Sequence, residues 1–350
     1  MQVFKKLTNK QDLSILKEIP NALTVDQGKP GISHFKNGKK CHIGCLRCKN
    51  PRCIFFSKDE IECDQINGFP NDKNTSTCPV GAITWDDALG IPLVDSRKCI
   101  NCGICASRCP VGALYFSKSG KLLLNATQED SVELKNADIT TQKKHFQQIE
   151  ELLKKNRIGT LLNASDRLFE KIYEKLSKIK SNNHNIVGRN LLIALGCKCA
   201  TRRIGDVYTR MDAIYSSSGG SFGAVEIEFG RDTLDASRGV LDDIAVLNTR
   251  YGIKKQNNRP LVICLQLPNI RQGYWQVIRD VKIVEGIKIE TITIGALMYL
   301  LWNGCIFKPE DDQYYIDYDN MDLRRILCTQ TKCKDISISK KKLGIMEPMK

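Results

Sequence analysis

The chain has 350 residues, a formal net charge of +14 and 16 cysteines. Ten of the cysteines lie between Cys41 and Cys109, and this clustering excludes a disulfide framework and predicts metal binding in a reducing compartment. The first ten residues lack the apolar core of a secretory signal, and the longest apolar run, at 294–301, is too short to span a bilayer. We therefore expect a cytoplasmic protein that makes no membrane contact, with a length that suggests two domains.

The positive charge is unevenly distributed. Residues 1–49 contain ten Lys and Arg against three Asp and Glu, whereas residues 50–120 contain seven against eight. A basic excess fits a polyanionic partner such as nucleic acid. A solvated lysine-rich surface is the alternative interpretation.

The densest motif is the run 78–116, CPVGAITWDDALGIPLVDSRKCINCGICASRCPVGALYF. Four cysteines in it follow the C-x2-C-x2-C-x3-C-P spacing: Cys99, Cys102, Cys105 and Cys109. Such short gaps wrap one loop around three corners of a [4Fe–4S] cube. Cys78-Pro79 is the end of a second run of this kind. From about residue 41 to 116 the chain resembles the bacterial two-cluster ferredoxin family, which implies an α+β ferredoxin-like domain over residues 1–120.

In that family each run gives its fourth cysteine to the partner cluster. The resemblance therefore implies these ligands for one [4Fe–4S] cluster: Cys78, Cys99, Cys102 and Cys105. The second cluster combines three upstream cysteines with the last one of the motif: Cys45, Cys48, Cys53 and Cys109. Cys41 is a spare. The upstream gaps depart from the family, and 24 residues separate Cys53 from Cys78, so a zinc knuckle on the upstream cysteines is the alternative.

After a connector at 121–140, the pattern turns helical from 141 to 180, with Ser165 or Asp166 as a cap. The segment NLLIALGCKC is an apolar strand or a short helix, and MDAIY and AVEIEF are strands joined by a glycine-rich turn. An amphipathic helix that ends at Gly252, a buried strand, a helix, a strand and a buried helix follow. This order predicts a three-layer α/β domain over 141–350 with a central mixed sheet.

Three carboxylates are placed to meet at one edge of this sheet. Asp212 lies near the end of one strand, and Glu226 and Glu228 lie two residues apart on the next, so they share a face. Converging carboxylates repel one another unless a cation lies between them, and hard oxygen ligands suit Mg²⁺ or Mn²⁺. Such an ion activates water and stabilises charge on a phosphodiester. A solvated strand face whose glutamates pair with lysines is the alternative.

From about residue 190 to 304 the chain resembles the PD-(D/E)xK nuclease superfamily, through this hairpin and the helix after it. The resemblance implies a restriction-endonuclease-like core in which Asp212 and Glu226 are catalytic metal ligands. Glu228 stands where the family usually has lysine, and acts as a base or as an added ligand. The implied function is a Mg²⁺- or Mn²⁺-dependent DNA endonuclease acting on double-stranded DNA. Fold-level analogy adds a role in restriction or antiviral defence, with a protein partner from such a system.

Two other classes of function stay open. In the first, the clusters serve an iron–sulfur electron-transfer component of an oxidoreductase, and the C-terminal domain binds a partner. In the second, the chain binds nucleic acid without cutting it. Two cysteine pairs also leave alternatives open, since Cys197 with Cys199 and Cys328 with Cys333 either meet at a metal or are ordinary core and surface thiols.

Overall fold

The computed structural model describes residues 50–88, 90–109, 164–230, 233–310, 313–338 and 343–349, with shorter pieces at 34–36, 39–41, 45, 113–116 and 120–124. These residues form two compact units, and each unit is assembled from segments that are distant in sequence. Most of the predicted connector and the first predicted helical segment lie outside the described residues. Within the described ranges, every helix is too short or too polar to cross a lipid bilayer.

The first unit consists of the described residues up to Phe56, those between Ser76 and Asn163, and Leu301–Gly304. Its strands form three antiparallel pairs: β1 (His34–Lys36) with β2 (Lys39–Cys41), β3 (Ile83–Asp86) with β4 (Ile91–Val94), and β5 (Leu114–Phe116) with β6 (Leu122–Leu124). A one-turn helix, α1 (Ile104–Ser107), lies between the second and third pairs and is buried through Ile104 and Ala106. The pentapeptide CPVGA occurs twice, at 78–82 and 109–113, and each copy leads directly into a hairpin.

The second unit includes an excursion from the ferredoxin-like part of the sequence, the segment Ser57–Thr75. Its Cys63 and Ile66 join a buried apolar cluster with residues of the second unit, among them Met211 and Ile214. The backbone N–H of Asp72 also donates to the carbonyl of Thr201 at 2.8 Å. The domain limits that we predict, 1–120 and 141–350, follow the order of the chain, whereas the contacts assign Ser57–Thr75 to the second unit.

The remaining elements belong to the second unit, apart from Leu301 and Trp302 at the end of one helix. They are, in chain order, α2 (Asp166–Leu176), α3 (His184–Ala194), β7 (Lys198–Thr201), β8 (Ala213–Ser216), β9 (Phe222–Glu228), α4 (Leu234–Tyr251), β10 (Leu261–Cys264), α5 (Tyr274–Glu285), β11 (Glu290–Thr293), α6 (Ile294–Trp302) and α7 (Arg324–Thr331). Short 3₁₀ turns occur at Lys58–Glu60, Ser181–Asn183 and Lys255–Asn257. The Ser165 hydroxyl caps α2 by accepting the N–H of Leu168, and Gly252 ends α4 at φ 70°, so both predicted helix limits are confirmed.

The strands of the second unit form one five-stranded sheet in the order β11-β10-β9-β8-β7. The strands β7, β8 and β9 pair antiparallel, and β9, β10 and β11 pair parallel. The predicted α/β class with a central mixed sheet is therefore confirmed. Strand β7 is missing from the predicted order, because the apolar segment NLLIALGCKC is divided between the end of α3 and β7. A buried helix and a buried strand give the same continuous apolar run, so periodicity cannot separate them.

Helices cover both faces of this sheet. A Cβ on Gly188 of α3 would lie 2.8 Å from the Cδ1 atom of Ile227, and a Cβ on Gly239 of α4 would lie 3.4 Å from the Cδ atom of Glu226. Ile227 and Glu226 are adjacent on β9 and therefore point to opposite faces. The sheet is thus the middle of three layers, with Glu226 on the face that α4 covers.

Gly223 on β9 leaves no room for a side chain. A Cβ there would lie 1.9 Å from the carbonyl oxygen of Arg259 and 2.6 Å from its carbonyl carbon. Because both are backbone atoms, we expect Gly223→Ala to lower the free energy of unfolding by about 3 kcal/mol or more. Gly273→Ala is the matched control, since Gly273 has φ −63° and its nearest neighbour is 3.8 Å from the added Cβ. Its stability should change by about 1 kcal/mol at most, and urea unfolding that gave both variants the same stability would contradict this packing.

Candidate functional site

Four cysteines of the first unit line one small cavity: Cys78, Cys99, Cys102 and Cys105. Apolar side chains close it, among them Ile83, Ile104, Phe116 and Leu122. Burial raises the pKa of the Cys102 and Cys105 thiols, and the neighbouring thiols raise it further. Four sulfur donors in a dry pocket match the requirement of a [4Fe–4S] cluster, which is held by cysteine thiolates and whose iron offsets their charge.

The two CPVGA copies make the same contact with their own cysteine. The N–H of Ala82 donates to the Sγ atom of Cys78 at 3.1 Å, and the N–H of Ala113 donates to the Sγ atom of Cys109 at 3.2 Å. Hydrogen bonds to the sulfurs are among the features that set the reduction potential of a cluster. Cys78 and Cys109 thus share one feature, a hydrogen bond from the N–H of the alanine four residues later.

The 24-residue gap between Cys53 and Cys78 is closed by the backbone. Phe55 and Ser76 form an antiparallel bridge, and the N–H of Thr77 donates to the carbonyl of Ile54 at 2.8 Å. Cys53 is buried, and its thiol is among the groups that raise the pKa of Cys105. The excursion Ser57–Thr75 therefore begins and ends at one place, and the irregular spacing does not separate the cysteines in space.

The other predicted upstream ligands are only partly described. Cys45 is half-buried, whereas Cys48 and the side chain of Cys41 lie outside the described residues. Cys63 lies in the core of the second unit, where its thiol donates to the carbonyl of Ile214 at 3.6 Å. The assignment of individual cysteines to the two clusters stays a prediction.

In the part of the chain that the structure describes, no three or more His, Cys, Asp or Glu side chains converge on a single metal ion. Cluster thiolates bind four different iron atoms and therefore do not meet at one point. The finding covers the carboxylates of the second unit as well as the two C-terminal cysteine pairs. Burial raises the pKa of both Cys197 and Cys199, and it is raised further by Glu310 and Cys63 at Cys197 and by Cys63 at Cys199. Cys328 and Cys333 instead lie against each other, with 3.5 Å between their sulfurs.

The second unit brings two of the three predicted carboxylates side by side. Asp212 immediately precedes β8, and the antiparallel register that pairs Ala213 with Val225 sets Asp212 opposite Glu226. Asp212 accepts hydrogen bonds from the Asn185 side-chain amide at 2.8 Å and from the N–H of Ile227 at 3.0 Å. These two donors fix the orientation of its carboxylate.

A third carboxylate, Asp243 on α4, joins this pair and was not selected from the sequence. Asp243 is fully buried, and among the described residues its carboxylate oxygens have no hydrogen-bond donor other than the Glu226 carboxyl in its protonated form. Burial raises the pKa of both Glu226 and Asp243, and the nearby Asp212 raises it further. The signal in the sequence was its place between Val240 and Leu247 on the buried side of α4, where an acidic residue is unexpected.

Glu228 lies on the predicted face of β9 and has a hydrogen-bond donor of its own, and its role stays a prediction. It lies on the same face of β9, two residues beyond Glu226, and its carboxylate accepts a hydrogen bond from the N–H of Gly230. The acidic cluster therefore consists of Asp212, Glu226 and Asp243. Glu174 lies on α2 and forms a surface ion pair with Lys178, with 2.7 Å between its Oε1 atom and the Nζ atom of the lysine.

A cleft of about 270 Å³ lies beside the acidic cluster. It is lined by Asn185, Arg202 and Arg203, among other residues. Asn185 and Arg202 both reach Asp212, the latter with 3.9 Å between its Nη2 atom and the nearer carboxylate oxygen. The guanidinium groups of the cleft offer contacts to an anion, whereas the carboxylates that line it are those of Asp72 and Asp206. Arg210 does not line this cleft and binds Asp242 at 2.8 Å.

Comparison with known proteins identifies only the iron–sulfur part. A family model described as a 4Fe-4S dicluster domain matches residues 75–113. An uncharacterized ferredoxin of Methanocaldococcus jannaschii is 37% identical over 82 residues, which are 21% of this chain and 52% of the relative. One of the subunits of a sulfite dehydrogenase from Allochromatium vinosum is 29% identical over 101 residues, 29% of this chain and 39% of the relative. The beta chain of respiratory nitrate reductase 2 from Escherichia coli is 35% identical over 78 residues, 22% of this chain and 11% of the relative.

The chain thus spans about half of the M. jannaschii relative and smaller shares of the others. No solved structure matches it at a significant level. Residues 75–113 form a dicluster ferredoxin domain that binds iron–sulfur clusters, so this part of the expectation is confirmed. The comparisons give no support to a restriction-endonuclease-like domain at 190–304, and that resemblance stays a prediction.

The acidic cluster should make stability depend on pH. Because the pKa values of Glu226 and Asp243 are raised on folding, the unfolded chain loses these protons first as the pH rises. The contribution of Glu226 and Asp243 to the free energy of unfolding is complete below about pH 4. It is lost as the pH rises through the pKa values of the two groups in the folded state.

We expect Glu226→Gln to remove most of this decline and to raise the free energy of unfolding at pH 8 by about 1–3 kcal/mol. Glu228→Gln, on the same face of β9, is the matched control and should keep the decline. Urea unfolding in metal-free buffer between pH 5 and pH 8 measures both variants. A Glu226→Gln profile parallel to that of the wild type would contradict the raised pKa values.

Proposed function

We propose that the chain is an iron–sulfur electron-transfer component of an oxidoreductase. The observation that carries the proposal is the thiol cavity of Cys78, Cys99, Cys102 and Cys105, inside a segment that a dicluster family model matches. Two of the relatives are named as subunits of sulfite dehydrogenase and nitrate reductase, which are oxidoreductases. When bound, a [4Fe–4S] cluster supplies one-electron transfer. The partner that gives or takes the electrons would be another protein chain.

The residues of this chain would hold the clusters and set their potential. Thiolates of Cys99, Cys102 and Cys105 would come from the segment 99–105 and that of Cys78 from the first CPVGA copy. The apolar lining would exclude water, and solvent exposure is one of the factors that set a cluster potential. The N–H groups of Ala82 and Ala113 would stabilise the added negative charge on the sulfurs when a cluster is reduced. Each of these N–H groups would thus favour the reduced form of its cluster.

Metal content tests this proposal first. We expect about eight iron and eight acid-labile sulfide per chain after anaerobic purification, from two clusters. Cys102→Ser should remove one cluster and lower the iron content to about four per chain. Cys264→Ser is the matched control, because Cys264 is a fully buried cysteine of β10 in the second unit. Iron and sulfide assays measure the content, and about four iron in the wild type would contradict the second cluster and favour upstream zinc.

Electron transfer itself needs a second measurement on the same protein. Dithionite should reduce the wild type by about two electrons per chain, one for each cluster. Low-temperature paramagnetic resonance should show reduced clusters that return to the diamagnetic state on reoxidation. Clusters that cannot be reduced and reoxidised without loss of iron would contradict the electron-transfer role, whatever the iron content.

We infer a second candidate function, the metal-dependent hydrolysis of a phosphodiester in double-stranded DNA, from the acidic cluster. The observation that favours it is Asp243, whose buried carboxylate has no hydrogen-bond donor among the described residues once Glu226 is ionised. Such a group costs several kcal/mol unless a proton or a cation neutralises it. Asp212 and Glu226 would hold Mg²⁺ or Mn²⁺, an ion that activates water and stabilises charge on a phosphate when bound. Arg202 and Arg203 would contact the phosphate backbone from the adjoining cleft.

A cleavage assay with supercoiled plasmid tests this second function. We expect nicking that requires Mg²⁺ or Mn²⁺ and falls at least about 100-fold in Asp212→Asn and in Glu226→Gln, since each loses a metal ligand. Glu174→Gln, a change at the surface, is the control and should cut like the wild type. Mn²⁺ should also raise the melting temperature of the wild type at pH 8 but not that of Glu226→Gln. A wild type that neither cuts nor responds to Mn²⁺ would contradict the assignment.

A further inference from the structure

Two cysteines meet at the end of α7, away from any role in the functions proposed above. Cys328 lies in the last turn of the helix and Cys333 follows its end, and their sulfurs are 3.5 Å apart. Lys332 ends the helix at φ 56°, a left-handed conformation that is uncommon for a residue with a side chain. This turn brings Cys333 back over the helix, where its N–H donates to the carbonyl of Cys328 at 3.2 Å. Both cysteines are half-buried and therefore reachable by small molecules.

The two thiols have different surroundings. The Thr331 hydroxyl lies 3.0 Å from the Sγ atom of Cys333, and the Tyr299 hydroxyl lies 3.6 Å from it. Burial raises the pKa of Cys333, but hydrogen bonds from these hydroxyls and from the Cys328 thiol outweigh it and lower the pKa below its ordinary value. Burial, its bond to Cys333 and nearby acidic side chains raise the pKa of Cys328 to about 11. Cys333 is therefore the thiol that ionises first.

The Thr331 hydroxyl has a choice of acceptors. It also lies 2.7 Å from the carbonyl oxygen of Leu327, and its single proton serves one acceptor at a time. A thiolate is charged and attracts the proton more strongly than a neutral carbonyl does. The bond to Cys333 thus strengthens when Cys333 ionises, and this difference favours the thiolate.

A metal ion does not explain the pair. Zinc in a structural site needs four ligands, and within the described ranges no third His, Cys, Asp or Glu converges on these sulfurs. The nearby Cys305 donates its thiol to the carbonyl of Gln330 at 3.6 Å. Two adjacent thiols of unequal acidity, with one half-exposed thiolate, are instead the arrangement that thiol–disulfide exchange uses.

We propose that Cys328 and Cys333 form a redox-active dithiol that exchanges with disulfides of small thiols such as glutathione. The Cys333 thiolate attacks one sulfur of the disulfide, breaks its S–S bond and releases one thiolate, which leaves a mixed disulfide on Cys333. Cys328 then loses its proton and attacks the Cys333 sulfur, which displaces the second small thiolate. The two cysteines are oxidised to one disulfide, and the small disulfide is reduced to two thiols that take up the two protons. The sulfurs need to approach from 3.5 Å to about 2.0 Å.

Peptide mapping of the full chain, with its clusters loaded and under anaerobic conditions, tests the bond. Trypsin cleaves after Lys332 and so separates the two cysteines into peptides 326–332 and 333–334. After oxidised glutathione and alkylation of the remaining thiols, we expect these two peptides as a cross-linked pair, which disappears on reduction. Peptides recovered only in the alkylated, uncrosslinked form would overturn the proposal.

Single substitutions then separate the roles of the two thiols. Cys328→Ser should trap a glutathione mixed disulfide on Cys333, because the second attack is lost. Cys333→Ser should leave Cys328 modified more slowly than Cys333 is in Cys328→Ser, since burial and the nearby Asp335 and Asp322 still raise the pKa of Cys328 when Cys333 is gone. Equal modification of Cys328 in Cys333→Ser and of Cys333 in Cys328→Ser would overturn the assigned order of attack.

A matched pair of threonines tests how Cys333 is activated. Thr331→Val removes a hydroxyl next to Cys333 and should slow its alkylation by iodoacetamide at pH 7 about tenfold, because the thiolate fraction falls. Thr329→Val is the control, since the Thr329 hydroxyl donates to the carbonyl of Arg325 at 2.9 Å in the same helix. Equal alkylation rates in the two variants would overturn the role of Thr331.

Discussion

Both candidate sites depend on one physical constraint, the cost of placing groups that become negative next to each other where water is excluded. In the first unit these groups are the thiols around Cys105, and in the second they are the carboxylates around Glu226. Burial and mutual repulsion disfavour ionisation in both places, and only protons or cations can offset the cost. The apolar packing raises the free-energy cost of ionising each group of thiols or carboxylates. For the same reason it makes each site selective for a positively charged ligand.

The buried acidic groups are arranged differently in the two units. Four thiols spread around a cavity suit a cluster with four separate iron atoms, and the N–H of Ala82 donates to one of them, Cys78. The acidic cluster is smaller and is oriented by Asn185 and by the backbone of Ile227 on one side, while α4 closes the other. Family comparison explains the first arrangement and does not reach the second, so the chemistry of the second unit depends on its own side chains.

Much of the architecture could be predicted from the sequence, and the failures have physical causes. The cysteine spacing predicted the cluster domain, and the hairpin, the Ser165 cap and the Gly252 stop followed from local rules that tertiary packing does not override. Strand β7 was missed because a strand buried on both faces lacks the alternation of apolar and polar residues that would identify it. Asp243 was missed because one acidic residue on a buried helix face has meaning only when its neighbours across the layer are known. The long gap after Cys53 looked like a defect of the motif, and it is an excursion into the other unit.

That excursion has a consequence for how the protein is made. A ribosome delivers Ser57–Thr75 long before it delivers Met211, Ile214 and the rest of the sheet on which Cys63 and Ile66 pack. At about 5–20 residues per second the delay is roughly 10–30 s. During this interval the apolar side chains of Cys63 and Ile66 have no surface to pack on, and the segment that carries them lies between the cluster cysteines Cys53 and Cys78. The partly synthesised chain can therefore aggregate before its clusters are inserted and before the sheet is complete. Slow synthesis or scarce iron should favour this aggregation.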